Sequence, residues 1–345
     1  MATTYTYIVD PDNGAGTNYT SLNAGLAAQA SDITSSTGSN KIIVFECRAS
    51  SGSADTTFTK IEGYKTSPTN YIMIKNHSSE PVDGKWNTSR YRLDCSSTDT
   101  LWVGAANVII DGIQLRNTSS SQGQIVLAHW ALNQYEDVTN PTINWIFRNC
   151  IYKVDRTGEY SSEFMLCVAD WAESTSSLVK FYNNLVIGTN LTFYFLSDIY
   201  GAGNLVLKAY NNTFINMSNV ASFYVGSGKF QFKNNLISGT TLAYFYSMDG
   251  NDDNDALNDY NAISVAKYSR DGSHSRGSQT FTFTNSGAGD YSLAPTDTGA
   301  KGYGTDLSGD ISELAYDILG NPRSGSWDIG AFQTVIAGNI YQMMI

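Results

Sequence analysis

Acidic side chains and indoles recur at matching points of this chain. After the apolar stretches "QIVLA", "FMLCVA" and "TFYFLS" come "HW", "DW" and "DIY". Alignment on those stretches puts His129, Asp170 and Asp198 at one position and Trp130, Trp171 and Ile199 at the next. If each stretch is a strand of one parallel sheet, successive backbones lie about 4.8 Å apart. Indole faces stack on sugar rings, and adjacent carboxylates can act together on a glycosidic bond. The expected carbohydrate groove therefore has His129, Trp130, Trp171, Glu173 and Tyr200 as binding residues and Asp170 and Asp198 as its catalytic carboxylates. The competing expectation is plainer: polar residues that fill turns, and a Trp that lids the core.

A second constellation is "DGNDDND" at 249–255, where Asp249, Asn251, Asp253 and Asp255 alternate along a loop. That spacing lets carboxylate and amide oxygens wrap a Ca2+ ion. The match is partial, with Asn254 where an EF-hand loop has Gly and Tyr260 where it has Glu, so a solvated acidic turn is the alternative. Three histidines among many serines single out no triad, and no Gly-rich run opens a helix to cradle phosphate.

The elements that must position these residues are strands. Of 345 residues 41% are hydrophobic and only 15% charged, and Tyr occurs 22 times amid Ser, Thr, Asn and Gly. This is all-β composition, with no long Leu/Glu/Lys/Ala stretch of the kind helices favour. The formal net charge of -11 repels a phosphate backbone, so nucleic acid is not an expected partner. The start lacks the charged and apolar regions of a secretion signal, and no run of apolar residues is long enough to span a membrane. Cys47, Cys95, Cys150 and Cys167 each lie in an apolar run and read as buried free thiols.

The chain repeats itself. "NVIIDGIQLRN", "NWIFRNCIYK", "VKFYNNLVIG", "LKAYNNTFIN", "FQFKNNLISG" and "LNDYNAISVA" each hold a short alternating strand, an Asx or Gly punctuation and a second strand. Gly112, Asn149, Asn184, Asn212, Asn235 and Asn261 mark the punctuation, separated by 37, 35, 28, 23 and 26 residues by subtraction. With a third apolar strand between units, each repeat supplies three strands and three turns. Asn accepts the left-handed backbone of a sharp corner, and its amide can bond to the Asn of the next repeat, which predicts a ladder. A β-sandwich with Asn-containing hairpins is the alternative.

These repeats resemble rungs of the right-handed parallel β-helix superfamily, the pectate-lyase-like fold, over residues 41–290. "DILGNPRSGSWDIGAFQ" at 317–333 is similar to a closing motif of bacterial and phage β-helix proteins, with Gln333 where Glu is common. The resemblance implies an all-β, right-handed, single-stranded parallel β-helix with three strands per rung. The expected layout is an N-terminal strand and capping helix at 1–40, the coil at 41–290, a C-terminal cap at 291–333 and a hydrophobic tail at 334–345. In the capping helix Leu22, Leu26, Ala30 and Ile33 share a face and Thr20 is the expected N-cap.

The calcium-and-arginine pattern of pectate lyases does not carry over, because no Arg stands beside Asp170 and Asp198, and Arg156 springs from a different corner. The expected function is therefore a bacteriophage virion component, a tailspike, fibre or capsid decoration with a structural and glycan-binding role. It would be made in the host cytoplasm, assemble as a homotrimer with other virion proteins, and contact a surface polysaccharide. An extracellular polysaccharide hydrolase or lyase and a bacterial surface adhesin, both secreted, are the alternatives. No cofactor is implied beyond Ca2+ at 249–255.

Overall fold

A computed structural model of the chain describes residues 1–96, 99–119, 125–129, 143–155, 163–169, 177–188, 193–197, 205–217, 221–223, 229–239, 245–247, 258–267 and 271–334. It is mostly β, with long all-parallel sheets, and Leu22–Gln29 is the one α-helix among the described residues.

The largest sheet has nine strands in chain order, from Thr3–Val9 and Lys41–Cys47 through Ile143–Arg148, Ser177–Tyr182 and Leu205–Tyr210 to Asn258–Asp259. A second sheet has seven strands, from Arg92–Cys95 and Gln114–Asn117 to Ala262–Ile263, and a third has five, from Thr59–Ile61 to Phe193–Ser197. Consecutive strands join these sheets in turn: Asn107–Asp111 lies in the first, Gln114–Asn117 in the second and Val126–His129 in the third.

Alternation aims every second side chain inward, and parallel register stacks like positions into columns. In the first sheet Phe45, Ile74, Ile110, Phe147, Phe181, Ala209 and Phe232 form one such column. Large and small residues interleave there, and burying each aromatic ring contributes about 1.5–3 kcal/mol. One hydrophobic core takes residues from all three sheets, including Phe45, Leu115 and Val103.

The punctuation pairs make one corner between the first and second sheets. Gly112, Asn149, Asn183, Asn211, Asn234 and Tyr260 have φ of 76°, 55°, 54°, 52°, 56° and 59°, the left-handed conformation the bend requires. The next residue turns inward. Asn184, Asn212, Asn235 and Asn261 are fully buried, and the first three amides each donate to the next Oδ1, at 3.1 Å, 2.9 Å and 3.2 Å in succession. Each Nδ2 also donates to a backbone carbonyl, those of Phe147, Phe181, Ala209 and Phe232 in turn. The expectation that Asn149 stands level with Asn184 is corrected by the register. Arg148 pairs with Tyr182 and Ile151 with Leu185, so Asn149 matches Asn183 and Cys150 holds the ladder position. The single Asn of "RNC" serves the bend, and a thiol replaces the second amide.

The helix Leu22–Gln29 packs on the first strands of the core, burying Leu22 and Leu26. Ser21, not Thr20, is its N-cap, its hydroxyl accepting from Ala24 N at 3.2 Å. Ala30 lies exposed beyond the last turn, whereas Ile33 is buried. Asp55 reaches across from another segment and accepts from Leu22 N at 2.7 Å. Cys47, Cys95 and Cys150 are buried and unbridged.

Residues 297–333, within the segment expected as the C-terminal cap, lie along the flank of the sheets on either side of the Asn corner. Leu307, Ile311, Leu314 and Trp327 pack on Ile146, Tyr182 and Tyr210, outward from the first sheet. Ile318, Ile329, Ala331 and Phe332 pack on Ile151, Leu185, Ile187, Ile215 and Leu236 of the second. Burial on both faces is why "LVIG" (185–188) is apolar throughout instead of alternating.

Candidate functional site

Of the expected groove, Trp130, Asp170, Trp171, Glu173, Asp198 and Tyr200 lie outside the described residues, as do Asp249, Asn251, Asp253 and Asp255 of the expected calcium loop. The backbone of His129 ends the strand Val126–His129 and pairs with Ala169, one residue before Asp170. Cys167 pairs with Ser197 and His129 with Ala169, so Ala128, Ala169 and Ser197, expected to stand level, are offset, and the register corrects that alignment. Among the described residues no group of three or more His, Cys, Asp and Glu could hold a metal ion.

The described residues build a different site, a cleft of about 560 Å3 between the Asn corner and the closing segment. Its floor is Arg148, at the end of an inner strand of the first sheet. Parallel register sets Asp111 on one side of it and Tyr182 on the other. Arg148 Nη2 lies 2.8 Å from Asp111 Oδ2, and Nη1 lies 3.3 Å from the Tyr182 hydroxyl and 3.1 Å from Glu313 Oε1. Burial works against the guanidinium charge, but Asp111 and Tyr182 outweigh it and raise the Arg148 pKa above its ordinary value.

The far wall is held by two anchors. Asn183 Nδ2 donates to Tyr316 O at 2.9 Å, and Asn183 Oδ1 accepts from Arg323 Nη2 at 3.3 Å. Arg323 is buried against Trp327 and donates to Gly330 O at 2.9 Å. Burial lowers its pKa to about 10 although Asp317 and Asp328 lie near. Asp317 accepts from Leu319 N, Asn321 N and Gln333 N, which folds the motif into one tight turn. Glu313 lines the cleft. Burial opposes its charge, yet its own backbone N–H, the Ser312 hydroxyl and Arg148 hold its carboxyl below the usual range. Tyr316 and Leu319 stand at the rim, 54% and 42% exposed.

A second polar array lies on the outer face of the second sheet. Arg116 clasps Asp94 at 2.8 Å and 2.5 Å and reaches Asp155 at 3.2 Å, and Lys153 meets Asp155 at 2.8 Å. The Trp86 ring rests over the Arg116 guanidinium at 5.5 Å.

The cleft escapes sequence inspection because its walls come from residues 81–82, 148–149, 182–183 and 312–320. The available signal was the closing motif itself, whose Asp317 and Arg323 organise one wall.

Fold and cleft together define the class: a strand-rich, parallel-sheet protein with few helices and no described helix long and apolar enough to cross a membrane. Comparison with protein families, curated proteins and solved structures finds no match for this chain.

Proposed function

We propose that the chain is a right-handed, single-stranded parallel β-helix with three strands per rung, working as a structural and glycan-binding component of a bacteriophage virion. The supporting observation is the passage of consecutive strands through three parallel sheets in turn around one core. Such stacking gives a stiff rod whose side-chain columns can present a repetitive face to a repetitive polymer. The rod works as a homotrimer alongside other virion proteins, and its polysaccharide-contacting face is the corner carrying His129, Trp130, Trp171, Glu173 and Tyr200. Ca2+ at Asp249, Asn251, Asp253 and Asp255 would order the neighbouring loop.

Sedimentation of the purified chain together with a screen of bacterial surface polysaccharides tests this reading. A trimer that binds a polysaccharide through Trp130 and Trp171 supports it. A monomer that binds none overturns it.

A second reading, a polysaccharide hydrolase or lyase using Asp170 and Asp198 or another acidic face, draws support from Arg116 held between Asp94 and Asp155. Release of new reducing or unsaturated ends from the bound polymer distinguishes it from binding alone.

A further inference from the structure

We propose that the cleft between the Asn corner and the closing segment binds an organic ammonium ligand, a protonated amine carried on an apolar body. Its volume, about 560 Å3, lies in the range of small-molecule sites. The chemistry of its lining selects the charge. Arg148, the cation of the lining, is already engaged by Asp111, Glu313 and the Tyr182 hydroxyl and offers an anion little. Lys180 helps keep Glu313 ionised but does not line the cleft. Asp317 spends its oxygens on the backbone N–H groups of Leu319, Asn321 and Gln333.

Glu313 is different. Its side chain remains 51% exposed, and its ionised carboxylate has lone pairs left beyond the bonds to Arg148 and Ser312. Three residues on, Tyr316 is 54% exposed at the rim, beside Leu319 at 42%. A carboxylate and a phenol ring lining one cleft attract an ammonium by ion pairing and by the ring quadrupole, while Leu319 and Val82 receive an alkyl body. The net charge of -11 favours the approach of a cation. This site shares no residue with the proposed glycan corner.

Two sources share this chemistry, a free alkylamine and a lysine side chain on another polypeptide. Ligand-observed NMR on the whole chain would use n-pentylamine and Nα-acetyl-lysine methylamide as probes, with pentanoate and maltose as the anionic and neutral controls. The expected result is n-pentylamine binding with Kd on the order of 1 mM and no binding of either control. Acetyl-lysine methylamide binding as tightly assigns the site to a lysine side chain, and weaker binding assigns it to a free amine. Glu313→Gln and Tyr316→Ala should each weaken binding about tenfold or more while melting with the parent, and Trp130→Ala with Trp171→Ala should leave it unchanged. Absence of n-pentylamine binding, equal binding of pentanoate or maltose, or full affinity in Glu313→Gln overturns the proposal.

Discussion

Asn183 and Asn184 are neighbours in the chain and serve opposite sides of it. Both are buried, but Asn183 takes the left-handed bend and donates outward to Tyr316 O, whereas Asn184 turns to the core and donates to Asn212 Oδ1. The doubled asparagine of "FYNNL" is thus two devices placed side by side, a hinge pin for the closing segment and a step of the ladder.

The ladder predicts a steep cost for its inner residues. Asn212→Ala removes the Oδ1 that Asn184 N donates to in a fully buried setting, and takes away one of two acceptors of Asn184 Nδ2 and one donor to Phe181 O. A loss of about 1–3 kcal/mol is expected in urea unfolding, the cost of one orphaned buried donor.

The bend residues predict a different signature. Asn183→Ala should cost ~1–2 kcal/mol for the left-handed backbone and release the contacts to Tyr316 and Arg323. Asn183→Gly relieves the backbone and keeps only the loss of the anchor. Hydrogen exchange should then rise at residues 313–320 in both variants while the amides of the inner strands stay protected.

Asp55 predicts a pH dependence opposite in sign to that of a salt-bridged acid. Burial raises its carboxyl above the ordinary 3.8, despite bonds from Leu22 N, Thr57 N and Tyr91. The unfolded chain loses this proton first, so stability from Asp55 falls as pH rises from about 3.8 toward the raised folded value. Asp55→Asn presents an amide to Thr57 N and should be less stable than the parent. Its deficit should shrink as pH climbs through that window, and a deficit constant from pH 3 to pH 7 would refute the assignment.

The proposed calcium loop predicts a metal-dependent melting temperature. Ca2+ should raise Tm and EGTA lower it, and Asp253→Asn with Asp255→Asn should abolish the difference. Identical melting in Ca2+ and EGTA leaves a solvated acidic turn.

The proposed glycan corner predicts that Trp130→Ala with Trp171→Ala abolishes polysaccharide binding with Tm nearly unchanged. Undiminished binding by the double variant retires that face.

Much of the fold was legible because parallel stacking imposes two strict signals, alternation along a strand and recurrence between strands. Phe147, Phe181 and Phe232 show both. The register of the corner was not legible, since "RNC" and "YNN" align equally well on either Asn, and only Arg148 opposite Tyr182 decides which. The cleft was hidden for another reason. Tyr182, Tyr210 and Ile146 face outward and would be exposed without the closing segment, and nothing local in their strands says what covers them.

The amides of the column all point one way, from Cys150, which has no side-chain amide and gives only its backbone N–H to Asn184 Oδ1, down to Asn261, whose backbone N–H donates to the Ser275 hydroxyl. Every interior member offers the same plug and the same socket. A whole repeat could be duplicated or deleted between those terminators without breaking the pattern, so evolution can alter the number of stacked repeats far more freely than the two ends of the ladder.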